Sequence, residues 1–364
     1  MKTVAIVSFI GVENYGANLQ AFALQEKLKQ LGFKPIYINY SHQSSLSGIK
    51  KIVNVIWSFF RLLLGYAKRY NKTTRFRTDF MYLTKKINNL EELNNLPRFD
   101  YYVVGSDQVW LPRILSVSDG FYFLNFAPKG SKKISYASSF GTSKIPKYLD
   151  KIYFNYLSEF REISVREKQG ASYLEGLGIK SSVVLDPTLL LKENEWIKTF
   201  DLKSKDKKPY ILCYVMTGDH KGAKFISDLC RNIIKTEKSK YKVIVIGDKE
   251  YKKLNPKYNL ITDAGPQDFL NYVFNADYII TNSFHGTCFS LNFQKKFITV
   301  LHRNNCLNSR ITDLLEVTSL SERIIYTDTN VNTVNLSKFD YEPDIDILNE
   351  LREQSMTYLK NAMK

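Results

Sequence analysis

Cysteine and histidine are both scarce in this chain, with four of each among 364 residues. The cysteines are Cys213, Cys230, Cys288 and Cys306. None belongs to a Cys-x-x-Cys pair, and no histidine stands at ligand spacing from any of them. This argues against a disulfide framework and a zinc site. We therefore expect no metal ion, no cofactor and a reducing, cytoplasmic environment.

Long uncharged apolar runs are missing as well. No stretch approaches the roughly 18 residues that a membrane-spanning helix needs, so none is expected. The apolar run at 3–9 is too short for a signal peptide and predicts a first buried strand. The residues are 44% hydrophobic, 14% aromatic and 24% charged, which excludes a disordered or collagen-like chain and is typical of globular proteins.

Acidic residues are absent from positions 27 to 78, although the whole chain has 36 Asp and Glu. The same stretch contains eleven Lys and Arg, and the formal net charge of the chain is +16. Such a balance favours anionic partners. Because no helix-turn-helix, ribonucleoprotein or zinc-finger pattern accompanies the charge, no nucleic acid is expected.

The segment 50–77 combines this charge with an apolar, aromatic middle that includes Trp57, Phe59 and Phe60. One interpretation is an amphipathic helix on the inner face of an anionic membrane, which would make the protein peripheral there. The other is a core helix with a solvated basic end. The sequence leaves both interpretations open.

Strand-like and helix-like segments alternate along the chain, which predicts parallel α/β sheets covered by helices. The predicted strands are 3–9, 35–39, 101–104, 133–137, 163–165, 182–185, 210–215, 241–246, 260–262, 278–281 and 297–300. A charged, Pro-terminated segment at 203–209 predicts a linker. The predicted organisation is an N-terminal Rossmann-like domain over 1–202, a C-terminal one over 210–343 and a final helix over 344–364 that crosses back to the first domain.

Two polar loops follow predicted strands in the first half, where ligands of such folds bind. The first contains Asn14, Gly16, Asn18 and Gln20, and its glycines and helix N-terminus suit an anion. It matches neither a dinucleotide fingerprint nor a Walker sequence. An ordinary turn between a strand and a helix is the alternative.

The second loop contains Asp107, Gln108 and Trp110, directly after a buried strand. The carboxylate and the amide could hold sugar hydroxyls, with the indole as a stacking platform. Asp107 could equally be a helix cap.

The third loop, over 281–287, contains His285 followed by Gly286. A histidine at the mouth of a strand favours an acid/base or anion-binding role, although a lone histidine is more often a core residue. Arg166 follows a short predicted strand. Arg303 and Arg310 come after His285, and Arg310 could instead pair with carboxylates on its own helix.

Six segments, in this order, resemble the polysaccharide pyruvyl transferase family. They read NYGANLQ at 14–20, VGSDQVW at 104–110, SYASSFG at 135–141, SVRE at 164–167, LDPT at 185–188 and SFHG at 283–286. The resemblance implies a GT-B-like fold, with two Rossmann-like domains facing a cleft and no metal. It implies phosphoenolpyruvate as donor, a sugar diol of a polysaccharide or its lipid-linked precursor as acceptor, and a pyruvate ketal and phosphate as products.

The resemblance also implies roles for individual residues. His285 would be the general acid/base, and Arg166 would bind the donor anion, with Ser283 and Gly286 also on the donor side. Many family members have Arg where this chain has Ser283. Either Arg303, Arg310 or a lysine replaces that charge, or the donor is not phosphoenolpyruvate. The polar loops of the first half would form the acceptor side.

Two other functions remain open from the sequence. A glycosyltransferase of the same fold would use a nucleotide sugar, with Asp263 or Asp268 holding the ribose. A non-catalytic membrane-surface component of polysaccharide assembly would need the basic segment but neither His285 nor Arg166.

Overall fold

The computed structural model describes residues 1–10, 13–40, 67–115, 120–204, 208–216, 218–236, 241–247, 251, 255–334, 336–339 and 341–364. Contacts divide the chain into two compact units. The first unit is Met1–Leu190 with Glu350–Lys364, and the second is Leu191–Asn349.

The first unit contains a parallel sheet whose strands are rich in β-branched and aromatic residues. They are β1 (Thr3–Val7), β2 (Lys34–Tyr37), β3 (Tyr101–Val104) and β4 (Lys133–Ser135), in the order β2-β1-β3-β4. A parallel pair, β5 (Ser164–Val165) and β6 (Ser182–Val183), continues beyond β4 through the bridges Ile134–Glu162 and Ser138–Val165. The helices are Tyr15–Gln30, Ala67–Phe80, Leu90–Asn94, Pro112–Leu115, Asp150–Leu157, Lys168–Gly176 and Pro187–Leu190.

The long helix after β1 shows how local sequence sets the element boundaries. Asn14 caps its N-terminus, with the side-chain oxygen accepting from the Ala17 N–H. Gly32 follows its C-terminus at φ +85°, a left-handed conformation that glycine adopts at no steric cost. The Asn14 cap therefore fixes the start of this helix directly after the polar loop that follows β1.

The second unit contains a parallel sheet in the order β12-β11-β10-β7-β8-β9. Its strands are β7 (Tyr210–Tyr214), β8 (Lys242–Ile246), β9 (Asn259–Ile261), β10 (Tyr278–Thr281), β11 (Lys296–Leu301) and β12 (Ile324–Tyr326). Its helices are Glu193–Phe200, His220–Thr236, Pro266–Phe274, Phe284–Asn292 and Ser309–Val317. The predicted parallel α/β alternation is confirmed, whereas β12 was not predicted from the sequence.

The C-terminal helix Asp346–Ala362 returns to the first unit, as predicted. Its Tyr358 hydroxyl donates to the Ser135 carbonyl at 3.0 Å, and Arg352 Nε donates to the Leu189 carbonyl at 2.7 Å. Ser355 Oγ accepts the Leu185 N–H at 3.0 Å. These bonds anchor the helix to the β4 side of the unit.

The first unit ends at Leu190, earlier than the predicted boundary at 202. The helix Glu193–Phe200 belongs to the second unit, because Trp196 is fully buried against Phe289 with ring centroids 5.3 Å apart. Asn292 Nδ2 also donates to the Leu191 carbonyl at 2.8 Å. Of the predicted linker 203–209, residues 205–207 lie outside the described residues.

The basic segment 50–77 is described only from residue 67 onwards, so the prediction for 50–66 lies outside the described residues. The described part belongs to the helix Ala67–Phe80, which buries Thr73 and Phe76. On the same face, Arg77 Nη1 donates to the Ile10 carbonyl at 2.6 Å, and Arg69 Nη2 donates to the Glu13 carbonyl at 2.7 Å. Lys68, Lys72 and Arg75 are exposed. The helix therefore has one face packed on the first unit and one basic face towards solvent.

Across the described ranges, no helix is long and apolar enough to cross a membrane.

Candidate active site

His285 lies at the carboxyl edge of the second sheet, on the helix Phe284–Asn292, called here the His285 helix. This helix starts three residues after β10 ends. Ser283 is its N-cap, with Oγ accepting the Gly286 N–H at 3.4 Å. His285 stands in the first turn and is 6% exposed. The sequence therefore placed this histidine correctly at a junction of strand and helix.

Gly286 allows the N-terminus of the His285 helix to lie directly on the sheet. A Cβ at this position would be 2.4 Å from Thr281 Oγ1 and 3.0 Å from Tyr214 Cδ1. A real Cβ does not approach other atoms so closely, so a larger residue here would force the Thr281 and Tyr214 side chains to shift. The first turn of the helix contains no acidic residue. The partial positive charge of a helix N-terminus makes such a terminus suitable for an anion.

Arg310 and His285 contact the same aromatic ring. The Phe284 ring meets the His285 ring edge-on at a centroid distance of 5.3 Å, and the Arg310 guanidinium lies 5.5 Å from the Phe284 centroid. Arg310 is half-buried on the neighbouring helix Ser309–Val317. The structure thus brings one of the predicted cations into the surroundings of His285.

Arg303 has a different environment. It is exposed, pairs with Asp328 through Nε at 2.7 Å and covers the Tyr326 ring at 4.3 Å. Its charge is therefore compensated by a carboxylate at the end of β12. Of the two arginines predicted to replace an arginine at position 283, Arg310 fits the site around His285 better.

A polar cluster that the sequence reasoning missed lies at the same edge of this sheet. Asp219 accepts from the Gly222 N–H at 2.8 Å, from His302 Nε2 at 2.7 Å and from Asn282 Nδ2. His302 Nδ1 lies 3.0 Å from Thr327 Oγ1. One carboxylate therefore connects the segments that follow β7, β10, β11 and β12. Asn282 and His302 each follow a strand end directly, which is the signal that could have identified them.

The pKa of Asp219 is lowered from its usual range. Burial alone would raise this pKa, but the hydrogen bonds from the Gly222 N–H, His302 and Asn282 outweigh burial because they stabilise the carboxylate. Asn282 also accepts the Met216 N–H on its Oδ1 at 2.8 Å. Since Asn282 is adjacent to Ser283, this cluster fixes the backbone from which the His285 helix starts.

In the first unit, Arg166 lies at the end of β5 inside a buried network. Its Nη1 lies 2.7 Å from Asp186 Oδ2, and its Nη2 lies 3.8 Å from Asp107 Oδ1. Ser106 Oγ also donates to Asp186, at 2.8 Å. The Arg166 side chain is 2% exposed. Burial would lower the pKa of Arg166, but the carboxylates of Asp186, Asp107 and Glu167 outweigh it and raise this pKa.

The prediction that Arg166 binds the donor anion directly stays a prediction, because the structure shows Arg166 only inside this network. The guanidinium is enclosed, and its charge is compensated by Asp186 and by the nearby Asp107. Asp107 itself is 9% exposed and has φ +85°, an uncommon backbone conformation for a residue with a side chain. Arg166 therefore lies beside Asp107 at the carboxyl end of β3.

The predicted polar residues of the first loop lie close to this network. Asn18 Nδ2 donates to the Asn14 carbonyl at 2.7 Å, and Gln20 Nε2 donates to Ser8 Oγ at 2.8 Å. Ser8 Oγ in turn donates to the Ser106 carbonyl at 2.8 Å. Gly16 is buried in the first turn of the helix, while residues 11 and 12 lie outside the described residues. The carboxyl ends of β1 and β3 thus share one polar layer.

The two remaining predictions for the second loop have different outcomes. Gln108 is half-buried and donates its backbone N–H to Asp107 Oδ1 at 2.8 Å. Trp110 is fully buried, with its ring against Phe123, Phe140 and Phe160 and its Nε1 donating to the Tyr122 carbonyl. The interpretation of Trp110 as a stacking platform is therefore wrong, because its faces form part of the core.

Asp268, one of the residues considered for ribose binding, is a capping residue. Its Oδ2 accepts the Gly265 N–H at 2.9 Å at the start of its own helix. In the part of the chain that the structure describes, no three His, Cys, Asp or Glu side chains come close enough together to hold a metal ion.

Solved structures with a similar fold are sugar-nucleotide enzymes of the GT-B type. MnaA of S. aureus, solved with UDP, is 13% identical with a TM-score of 0.56, covering 99% of this chain and 97% of that one. UDP-GlcNAc 2-epimerase of Neisseria meningitidis is 10% identical with a TM-score of 0.55, covering 99% of each chain. UGT89C1 of Arabidopsis thaliana, solved with UDP-L-rhamnose, is 10% identical with a TM-score of 0.50, covering 100% and 99%. These similarities confirm the predicted GT-B-like fold.

No curated protein matches the sequence. The family model of polysaccharide pyruvyl transferase matches residues 14–304, a range that includes both polar loops of the first unit and the His285 helix. The predicted family is therefore confirmed: this chain belongs to the polysaccharide pyruvyl transferase family.

Proposed function

We propose that this enzyme transfers the pyruvyl group of phosphoenolpyruvate to two hydroxyls of a saccharide. The products are a pyruvate ketal on the sugar and inorganic phosphate. Membership in the family supports this reaction, and the placement of His285 is the observation that carries it. A histidine in the first turn of a helix, at the carboxyl edge of a parallel sheet, combines a proton-transfer group with an anion-binding helix terminus.

The reaction balances without an added reductant or oxidant. C3 of the enol gains one proton and becomes a methyl group, while C2 forms two bonds to sugar oxygens and loses its bond to the phosphate oxygen. The two hydroxyls release two protons, of which one balances the proton gained by C3 and the other leaves with phosphate. His285 donates the proton to C3 and receives one from a hydroxyl. Such a group typically contributes about 10²–10⁴-fold to the rate.

The donor anion is proposed to bind at the N-terminus of the His285 helix. Ser283 and Gly286 set the position of this terminus, and Arg310 adds a positive charge beside Phe284. Arginine suits this role because its planar guanidinium can pair with a carboxylate or a phosphate through two bonds. This arrangement would supply the charge that many family members place at the position of Ser283.

The acceptor is proposed to use the polar layer of the first unit. Asp107, held near Arg166, and the partly exposed amides of Asn14 and Gln108 are groups that accept and donate hydrogen bonds to hydroxyls. Asn18 and Gln20 are buried and would support this layer from behind. The exposed basic face of the helix Ala67–Phe80 belongs to the same unit. We propose that this face contacts an anionic membrane on its cytoplasmic side, which would give access to a lipid-linked acceptor.

The test is phosphate release from phosphoenolpyruvate with a panel of lipid-linked and free saccharides. We expect release that depends on acceptor and on His285, and a ketal in the product by mass spectrometry. Parallel thermal melts with phosphoenolpyruvate and with UDP-sugars distinguish the competing glycosyltransferase function. Stabilisation by UDP-sugars alone, with no phosphate release, would contradict the proposal.

The matched variants are His285→Ala and His302→Gln. We expect His285→Ala to lower kcat by about 10²–10⁴-fold while the melting temperature and phosphoenolpyruvate binding stay close to the wild type. His302→Gln retains an N–H donor for Asp219 and should keep most of the activity. Turnover near the wild-type value in His285→Ala would exclude this histidine as the proton-transfer residue.

A further inference from the structure

A second basic region lies in the second unit, away from His285. It is a cavity of about 1230 Å³ at the amino ends of β7 and β8. The first residues of these strands, Tyr210 and Lys242, are register partners. His285 follows the carboxyl end of β10 in the same parallel sheet. The five residues of β7 extend about 16 Å. The cavity therefore lies at the amino edge of the sheet, opposite the carboxyl edge that carries the candidate active site.

The side chains of this cavity are positively charged and aromatic. The charged lining residues are Lys208, Arg231, Lys235, Lys242 and Lys257. The aromatic lining residues are Tyr210, Tyr241 and Tyr258. No carboxylate is present among the described lining residues. Asp228 pairs with Arg231 and compensates that charge, so the other charges of the cavity are its four lysines. Asp277 accepts the Tyr210 N–H at 2.9 Å.

We infer that this cavity, called here the basic groove, binds an acidic polysaccharide. Five positively charged side chains line this cavity, a number that matches a chain with repeated carboxylates better than a single small anion. Tyr241 and Tyr258 are partly exposed and supply apolar rings suited to sugar rings, whereas Tyr210 is buried and donates its hydroxyl to the Tyr272 carbonyl at 2.6 Å. A concave surface of this kind also fits a polymer better than it fits a flat bilayer.

This inference rests on the proposed function, because that reaction adds a carboxylate to each acceptor sugar. A growing polymer would then become more acidic with every transfer. The basic groove would hold the modified part of the polymer while unmodified sugars reach the candidate active site. Binding at the groove should therefore affect long acidic acceptors and leave short neutral acceptors unaffected.

The experiment measures calorimetric binding of oligoalginate, a polymer with one carboxylate per sugar, to the full chain. Neutral dextran of similar length is the comparison. The variant Lys242→Gln with Lys257→Gln removes two charges of the groove, and we expect about a tenfold loss of affinity for oligoalginate. Binding should also weaken as salt rises above about 0.15 M. The control, Lys198→Gln with Lys224→Gln, removes two exposed charges of the same unit that do not line the groove.

Several outcomes would overturn the inference. They are equal binding of dextran, equal loss in the control variant, or no binding of oligoalginate by the wild type. Binding of anionic vesicles that depends on Lys242 and Lys257, without binding of oligoalginate, would identify a membrane surface instead. Inorganic phosphate as competitor tests a small-anion site, and full displacement by phosphate would also contradict the inference.

The same variants distinguish a failure of the groove from a failure of the proposed reaction. Phosphate release with a short neutral acceptor should be unchanged in Lys242→Gln with Lys257→Gln. If oligoalginate binds through these lysines while the wild type releases no phosphate, the reaction is wrong and the binding site remains. If phosphate is released but oligoalginate does not bind, only the groove is excluded. Melting temperatures near the wild-type value establish that each variant is folded.

Discussion

Gly286 shows how one residue positions the candidate active site. Its missing side chain allows the His285 helix to approach Thr281 and Tyr214 more closely than any Cβ would permit. We expect Gly286→Ala to destabilise the protein by about 1–3 kcal/mol, as other cases of overpacking do, and to raise the KM for phosphoenolpyruvate. Urea unfolding and steady-state kinetics measure the two effects.

The matched control for this prediction is Gly176→Ala. Gly176 lies in the helix Lys168–Gly176, and nothing lies within 4 Å of where its Cβ would be. The free energy of unfolding should stay the same or rise slightly, because alanine lowers the entropy of the unfolded chain. If both alanine variants behave alike, close approach at Gly286 is not the reason for glycine there.

Arg166 and Asp186 form the other residue-scale feature with a measurable consequence. The Asp186 side chain is 0% exposed, so Arg166→Met would leave a buried carboxylate without its counter-ion. Breaking a buried pair from one side costs about 3–5 kcal/mol of unfolding free energy. Arg166→Met with Asp186→Asn should recover part of that loss in a double-mutant cycle. A stable Arg166→Met variant that changes only the KM for the donor would instead support the predicted role of Arg166 in binding the donor anion.

At the scale of elements, the Asp219 cluster connects the segments that follow four strands of the second sheet. Because the pKa of Asp219 is lowered on folding, the folded state favours the ionised carboxylate. This contribution to stability is present above the ordinary aspartate pKa of about 3.9 and is lost as the pH falls through the lower folded value.

We therefore predict a pH-dependent difference between the wild type and Asp219→Asn. The free energy of unfolding of the variant should be lower at pH 7, and the gap should narrow as the pH falls below about 4. Urea unfolding at several pH values measures this gap. A gap that stays constant across this range would show that the charge of Asp219 does not stabilise the fold.

At the scale of the whole molecule, the net charge is +16, and two basic surfaces lie among the described residues. One is the basic groove, and another is the exposed face of the helix Ala67–Phe80. Arg69 and Arg77 face the body of the first unit, and Arg75 pairs with Asp79. The exposed Lys68 and Lys72 are therefore the residues whose substitution tests contact with a membrane. Each lysine near an anionic surface contributes about 1 kcal/mol to binding.

We predict that the protein sediments with anionic vesicles and not with neutral ones, and that high salt releases it. Lys68→Gln with Lys72→Gln should reduce this binding, whereas the groove variant Lys242→Gln with Lys257→Gln, which removes the same charge, should not. Equal sedimentation with both lipids, or with neither, would return this helix to the interpretation of a core helix with a solvated basic face.

The sequence by itself determined the local features of this protein. Alternation of buried strands and helices predicted the parallel sheets, and the signals at Asn14, Ser283 and Gly286 placed polar loops after strands. These features depend on neighbouring residues, through side-chain periodicity and hydrogen bonds within one turn. The ordered motifs predicted the family for the same reason, because each motif is a short continuous segment.

Tertiary structure decided the environment of each polar side chain. Trp110 is buried in the core. Arg166 pairs with Asp186, twenty residues away in the chain, and Asp219 contacts His302, eighty-three residues away. Parallel strands cause this, because they bring the carboxyl ends of segments that are distant in sequence to one edge of a sheet. Whether a charged group is open to a ligand or neutralised by a partner depends on that assembly, and no local pattern records it.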